Sequence, residues 1–168
     1  GGLLNNHGPH ALDMILNLAD SPVTSVSSDL KHIKDAGDVD DHFHLFMRTS
    51  QGQILDVMVS SCLALPLPRT VLMGSCGTLV AETPSEAKLR YYDPESAPPL
   101  VLAKGYGPGR PAGTKDQLPW VEETRSMVPS FPLGDFYDNV AACLIENKPM
   151  QVTLESAAEV VRVIEESR

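Results

Sequence analysis

No apolar run approaches the ~18 residues that a membrane-spanning helix needs, and no basic run is present to track a phosphate backbone or an anionic bilayer. Thirteen Lys and Arg stand against 22 Asp and Glu, for a formal charge of −9. Nucleic acid and membrane are therefore not the expected partners. Cysteine is scarce. Cys62, Cys76 and Cys143 are odd in number and widely spaced among apolar or small neighbours, where a thiol packs as a small hydrophobe. That usage, with no charged n-region leading into an apolar h-region, points to a reducing compartment and a cytoplasmic location. No internal repeat is visible.

What is present suits one globular domain over residues 1–168: 42% of the residues are hydrophobic and 21% charged. The chain opens on Gly1-Gly2-Leu3-Leu4, already apolar and running into a helix. Domains seldom begin so abruptly, so a fragment of a longer protein is expected. The stretch from Asn6 to Ala19 reads as a helix starting near Asn5 or Asn6, with Pro9 tolerated in the first turn. After Val23 the helical period disappears. His42–Thr49 and Gln53–Leu65 alternate around Ser50-Gln51-Gly52 as a hairpin. Thr70–Met73 and Thr78–Ala81 flank a turn at Gly74-Ser75-Cys76-Gly77, and Lys88–Tyr92 is a fifth candidate strand.

Eight of the 14 prolines lie from Pro94 to Pro132 with Gly105, Gly107, Gly109 and Gly113, which predicts a long surface loop. Two helices close the chain: Asp135 is read as the N-cap of a run to Glu146, and Thr153 as the cap of a run to Glu166. The fold class is α+β, a mainly antiparallel sheet with helices on one face.

On the first helix Asn6, His10, Asp13, Asn17 and Asp20 form a narrow polar stripe. It is either a water-facing edge or the lining of a cleft. In the second case His10 can take a proton from a hydroxyl, Asn6 one turn earlier can orient it, and Asp13 can supply the charge Asn6 lacks. His42 and His44 share a strand face with Phe46 and Arg48. Asp40 and Asp41 lie nearby, but the opposite strand offers only Asp56 on the matching face, so no metal is assigned. The opposite face, Phe43, Leu45 and Met47 with Leu55, Val57 and Val59, is core. Ile54, Met58 and Cys62 add apolar area to the histidine face, which suggests an interface between subunits. Gly105-Tyr106-Gly107-Pro108-Gly109 is not a dinucleotide fingerprint, because prolines follow where a helix must begin. Ser75-Cys76 reads as a turn, not a nucleophile elbow.

The opening Gly1-Gly2-Leu3-Leu4-Asn5-Asn6-His7-Gly8-Pro9-His10-Ala11-Leu12-Asp13 resembles the G-G-x-L-x-D-x-G-x-H-x-x-D segment of the glucose-fructose oxidoreductase, inositol dehydrogenase and MocA family, where it begins the C-terminal domain. The likeness continues through Gly52, Met73–Leu79, Leu118-Pro119-Trp120-Val121, Phe136-Tyr137-Asp138-Asn139, Asn147-Lys148-Pro149 and Val152–Ala157. It implies an N-terminal Rossmann domain, outside this chain, that binds NAD or NADP. It also implies a polyol or sugar substrate, a homo-oligomer built through the sheet, and His10 in the place of the family's catalytic His. No cofactor-binding residue falls in this chain. Asn6 stands where many members carry Asp, and an amide cannot ionise. The resemblance thus leaves two readings: a domain of an NAD(P)-dependent oxidoreductase, inert by itself, or a non-catalytic sensing or oligomerisation module on the same scaffold.

Overall fold

The computed structural model describes residues 1–34, 37–99, 118–127 and 133–168, with only the backbone of Leu133. The chain forms two compact units, one of residues 1–65 with 132–168 and the other of residues 66–131. The α+β reading holds. Among the described residues no helix is long and apolar enough to cross a membrane.

In the first unit, strands β1 (Val23–Lys31), β2 (His42–Thr49) and β3 (Ile54–Ser60) form an antiparallel sheet in that order. Leu30, Phe43 and Val59 stand in one cross-strand row, Ser28, Leu45 and Val57 in the next, and Val26, Met47 and Leu55 in the third. Because side chains alternate between faces, these rows share one face, and Phe43, Leu45 and Met47 on it are fully buried. Helices α1 (Leu3–Ala19) and α3 (Leu154–Glu166) cover that face with Leu4, Leu12 and Val163. The core predicted from period-two alternation is the one observed.

Helix α1 begins at Leu3, earlier than the side-chain pattern predicts. Its cap comes from far along the chain. The Leu3 amide donates to the Asp40 carbonyl at 2.8 Å and the Leu4 amide donates to Asp40 Oδ2 at 2.6 Å, so two of the orphan N–H groups are satisfied. Gly2, at φ +91°, makes this close approach feasible. A Cβ there would lie 2.0 Å from Asp40 Oδ1. Gly2→Ala is therefore expected to cost about 2 kcal/mol through lost capping and backbone strain. Urea titration reads this directly, and an unchanged midpoint would mean that the cap does not form in solution.

The early start places Pro9 in the helix interior, not its first turn. The residue before proline is normally pushed out of the helical region by its Cβ. Gly8 has none. A Cβ on Gly8 would also lie 3.2 Å from Leu4 Cδ1 and 4.0 Å from Phe43 Cζ, so this glycine lets α1 settle directly on β2. At the other end Asp20 adopts a left-handed conformation, φ 46°, and its amide closes onto the Leu16 carbonyl.

Helix α3 starts at Thr153, whose hydroxyl accepts from the Ser156 amide at 3.1 Å, as predicted. Its Arg162 donates to both carboxylate oxygens of Glu159, to Glu166, and to the Val23 carbonyl at 2.9 Å, which ties the helix to the start of β1. The Arg162 guanidinium first, and then the Val23 amide, hold the Glu159 carboxyl below the usual glutamate range against the opposing effect of burial. An unfolded Glu159 takes up its proton at higher pH than the folded one. This network therefore contributes fully above the ordinary glutamate range and is lost as pH falls through the lowered folded value. Urea midpoints followed against pH should fall on acidification, and Glu159→Gln should flatten that limb at a cost of about 1 kcal/mol near neutrality. An unchanged limb would remove this network from the account.

In the second unit β4 (Thr70–Gly74), β5 (Gly77–Ala81), β6 (Glu86–Tyr91) and β7 (Val121–Ser126) form an antiparallel sheet in chain order. Ser75-Cys76 is the β4–β5 turn. A Cβ on Gly77 would lie 2.6 Å from Tyr91 Cβ and 2.7 Å from the Arg90 carbonyl, so only glycine lets β5 approach β6 there. Strand β7 corrects the expectation of one long loop from Pro94 to Pro132: Val121–Ser126 carries no proline and pairs with β6 along six residues. A 3-10 turn, Pro94–Ser96, is capped by Asp93. The run Gly105–Gly109 lies outside the described residues.

Helix α2 (Leu133–Glu146) starts two residues before Asp135, which therefore sits inside the first turn and is not the N-cap. Asn147, at φ 53° and two residues before Pro149, ends it.

Candidate functional site

The polar stripe follows from how α1 is anchored. Leu4, Gly8, Leu12 and Ala19 are buried against the sheet and α3. Helical geometry then carries Asn6, His10, Asp13 and Asn17 to the opposite side, away from the core. Asn6, His10 and Asn17 are exposed and Asp13 is half-buried. Of the two readings left open by the sequence, the first unit by itself presents the stripe to solvent.

The structure gives His10 and Asn6 no side-chain hydrogen bond among the described residues, so both are available to an incoming group. Asp13 is engaged elsewhere: the Asn17 amide donates to Asp13 Oδ1 at 3.1 Å and to the Asp13 carbonyl at 2.8 Å. Its carboxylate is directed along the stripe to Asn17, one turn on, and makes no bond to His10. The result is a row of imidazole, two amides and one carboxylate on a helix capped at both ends. Such a row can donate to, accept from and exchange protons with hydroxyl groups.

The outer sheet face carries the second group of polar residues. His44 Nε2 lies 2.7 Å from Asp56 Oδ1, with Asp29, His44 and Met58 in one row and Ser27, Phe46 and Asp56 in the next. Lys31, by hydrogen bond and charge, holds the Asp29 carboxyl below its usual range, with smaller contributions from His42 and His44. Among the described residues no three His, Cys, Asp or Glu side chains are placed to hold a metal ion. Asp40, which the sequence sets beside these histidines, caps α1. Asp41 accepts from the Ile33 and Lys34 amides at 2.8 and 2.7 Å, and those bonds hold its carboxyl low. The three cysteines are free thiols.

On the second unit, Thr78, Val80, Lys88, Arg90, Glu122 and Thr124 line an open hollow of about 530 Å³. The Arg90 guanidinium stands 5.0 Å over the Trp120 ring, and Tyr92 meets that ring edge-on at 5.1 Å. Sequence reading missed this cluster, because Trp120 and Glu122 fall in the stretch expected to be loop. It also missed the Asp40 cap, which comes from 36 residues along the chain.

The architecture is α+β, two antiparallel sheets with three helices. Residues 1–80 match the family model described as GFO/IDH/MocA C-terminal domain. No curated protein matches. Among solved structures, an NAD-binding protein from Listeria innocua shares 24% identity at a TM-score of 0.72, over 98% of this chain and 48% of that one. An oxidoreductase from Bacillus cereus shares 16% at 0.76, over 98% and 48%. UDP-N-acetylglucosamine 3-dehydrogenase from Acidithiobacillus ferrooxidans shares 14% at 0.67, over 95% and 45%. These likenesses are of fold, and the chain spans about half the length of the structures it resembles.

Proposed function

We propose that residues 1–168 are the substrate-side domain of a cytoplasmic NAD(P)-dependent oxidoreductase acting on a sugar, cyclitol or related polyhydroxyl compound. His10 is its general acid/base and Asn6 positions the imidazole or a substrate hydroxyl. Asp13, three residues on from His10, supplies the charge that Asn6 lacks. The observation that carries this reading is the α1 stripe: a helix capped at both ends presents His10 and Asn6, neither with a side-chain hydrogen bond among the described residues, away from the core. The dehydrogenase and NAD-binding descriptions of two fold neighbours support it.

The N-termini of α1 and α3 offer a dinucleotide phosphate no ready site. The amides at the N-terminus of α1 already donate to Asp40 and the start of α3 is capped by Thr153, so neither is free to hold an anion. The cofactor is assigned to a preceding Rossmann domain, and its nicotinamide ring supplies hydride acceptance or donation. This chain's part is the proton. His10 takes it from the substrate hydroxyl as the carbinol becomes a carbonyl, and returns it in the reverse direction. The outer sheet face, with Ile54, Phe46 and Met58 beside the His44–Asp56 pair, is assigned to contact between subunits.

The test is turnover. A polypeptide joining this domain to its Rossmann domain should form reduced nicotinamide with at least one member of a polyol panel, and the 168-residue chain should form none. Dinucleotide binding without turnover across the panel would favour the sensing reading, which the neutral Asn6 makes chemically reasonable.

A further inference from the structure

We infer that the exposed apolar stripe of α2 is the surface on which the dinucleotide-binding half of the same polypeptide sits, an inference that rests on the function proposed above. Phe136, Tyr137, Val140 and Leu144 recur at helical spacing on one side of α2, and Asp135, Asp138 and Glu146 occupy the other. That is the pattern of a helix with one buried face. Yet Phe136 is 62% exposed, Tyr137 63%, Val140 37% and Leu144 79%. Among the described residues α2 packs against no other helix or strand of its unit. Phe136 and Tyr137 meet edge to face at 5.2 Å. An isolated helix of this length is marginal in water, so the stripe calls for a cover.

Two arguments choose the cover. The fold neighbours contain 95–98% of this chain within polypeptides of which it forms only 45–48%, so each carries about as much chain again beside this fold. The area points the same way. The four side chains offer on the order of 500 Å², and thus about 1,000 Å² counting a matching surface. That lies within the range of contacts between domains of one chain, but is well short of the roughly 1,600 Å² of a standard interface between separate molecules. A tethered domain needs less, because its effective concentration is set by the linker. The stripe carries no charge, as suits a permanent contact.

Hydrogen–deuterium exchange separates the outcomes. Residues 134–146 should exchange rapidly in the 168-residue chain and at least tenfold more slowly in the polypeptide that includes the dinucleotide-binding domain. Val140→Asp should leave the folding of the 168-residue chain unchanged and restore rapid exchange in the longer one. Rapid exchange in a longer polypeptide that still binds NADH or NADPH would overturn the inference and leave the proposed function standing. A longer polypeptide that binds neither would overturn both. Protection already present in the 168-residue chain and rising with its concentration would assign the stripe to a second copy, and so overturn the inference.

Discussion

Replacing His10 by alanine in the polypeptide that carries both domains is expected to lower kcat/KM by about 10²–10⁴-fold, the usual weight of a positioned general acid/base. The loss should fall mainly on kcat, because the imidazole is assigned a proton that moves in the transition state. Stability should not change. His10 is exposed and makes no side-chain hydrogen bond among the described residues, and α1 is held by Leu4, Leu12 and the Asp40 cap. Steady-state kinetics paired with a urea titration therefore separates a chemical role from a structural one. An unchanged kcat/KM would remove His10 from the mechanism and favour a domain that senses its ligand.

Phe43→Ala is expected to have the largest effect on folding, about 3–5 kcal/mol, from lost burial together with the cavity left behind. Phe43 is fully buried near the start of β2, the middle strand of the sheet, and its ring lies against Gly8 of α1. The cavity would open under the helix that carries His10. Chemical denaturation measures the loss. A cost below about 1 kcal/mol would mean that α1 does not rest on β2 as described.

The inner face of the first sheet was legible because Phe43, Leu45 and Met47 alternate with His42, His44, Phe46 and Arg48, mostly polar, and burial of one face enforces that period. Strand β7 was not. Its six residues lie in a stretch rich in proline, and composition over a long window outweighed a short segment free of it. The start of α1 was hidden for another reason: its cap, Asp40, is 36 residues away, beyond any local signal. Pro9 was correctly read as compatible with a helix but misplaced within it, because Gly8 relaxes the restriction that proline imposes on its predecessor. For the site, spacing showed the stripe but not what it faces. His10 and Asn6 acquired roles from the family resemblance, and the packing of α1 then set their direction. The bond from Asn17 to Asp13 could not be read from spacing, because Asp13 lies within reach of both His10 and Asn17 on a helix.

The most direct measurement is a crystal structure of the two-domain polypeptide with its dinucleotide and an unreactive polyol bound. His10 should place a ring nitrogen about 2.6–3.2 Å from the hydroxyl on the carbon that faces the nicotinamide, with Asn6 bonded to His10 or to the same polyol. An imidazole still turned to bulk water, or one whose place beside that hydroxyl is taken by a residue of the other domain, would contradict the role assigned to this helix.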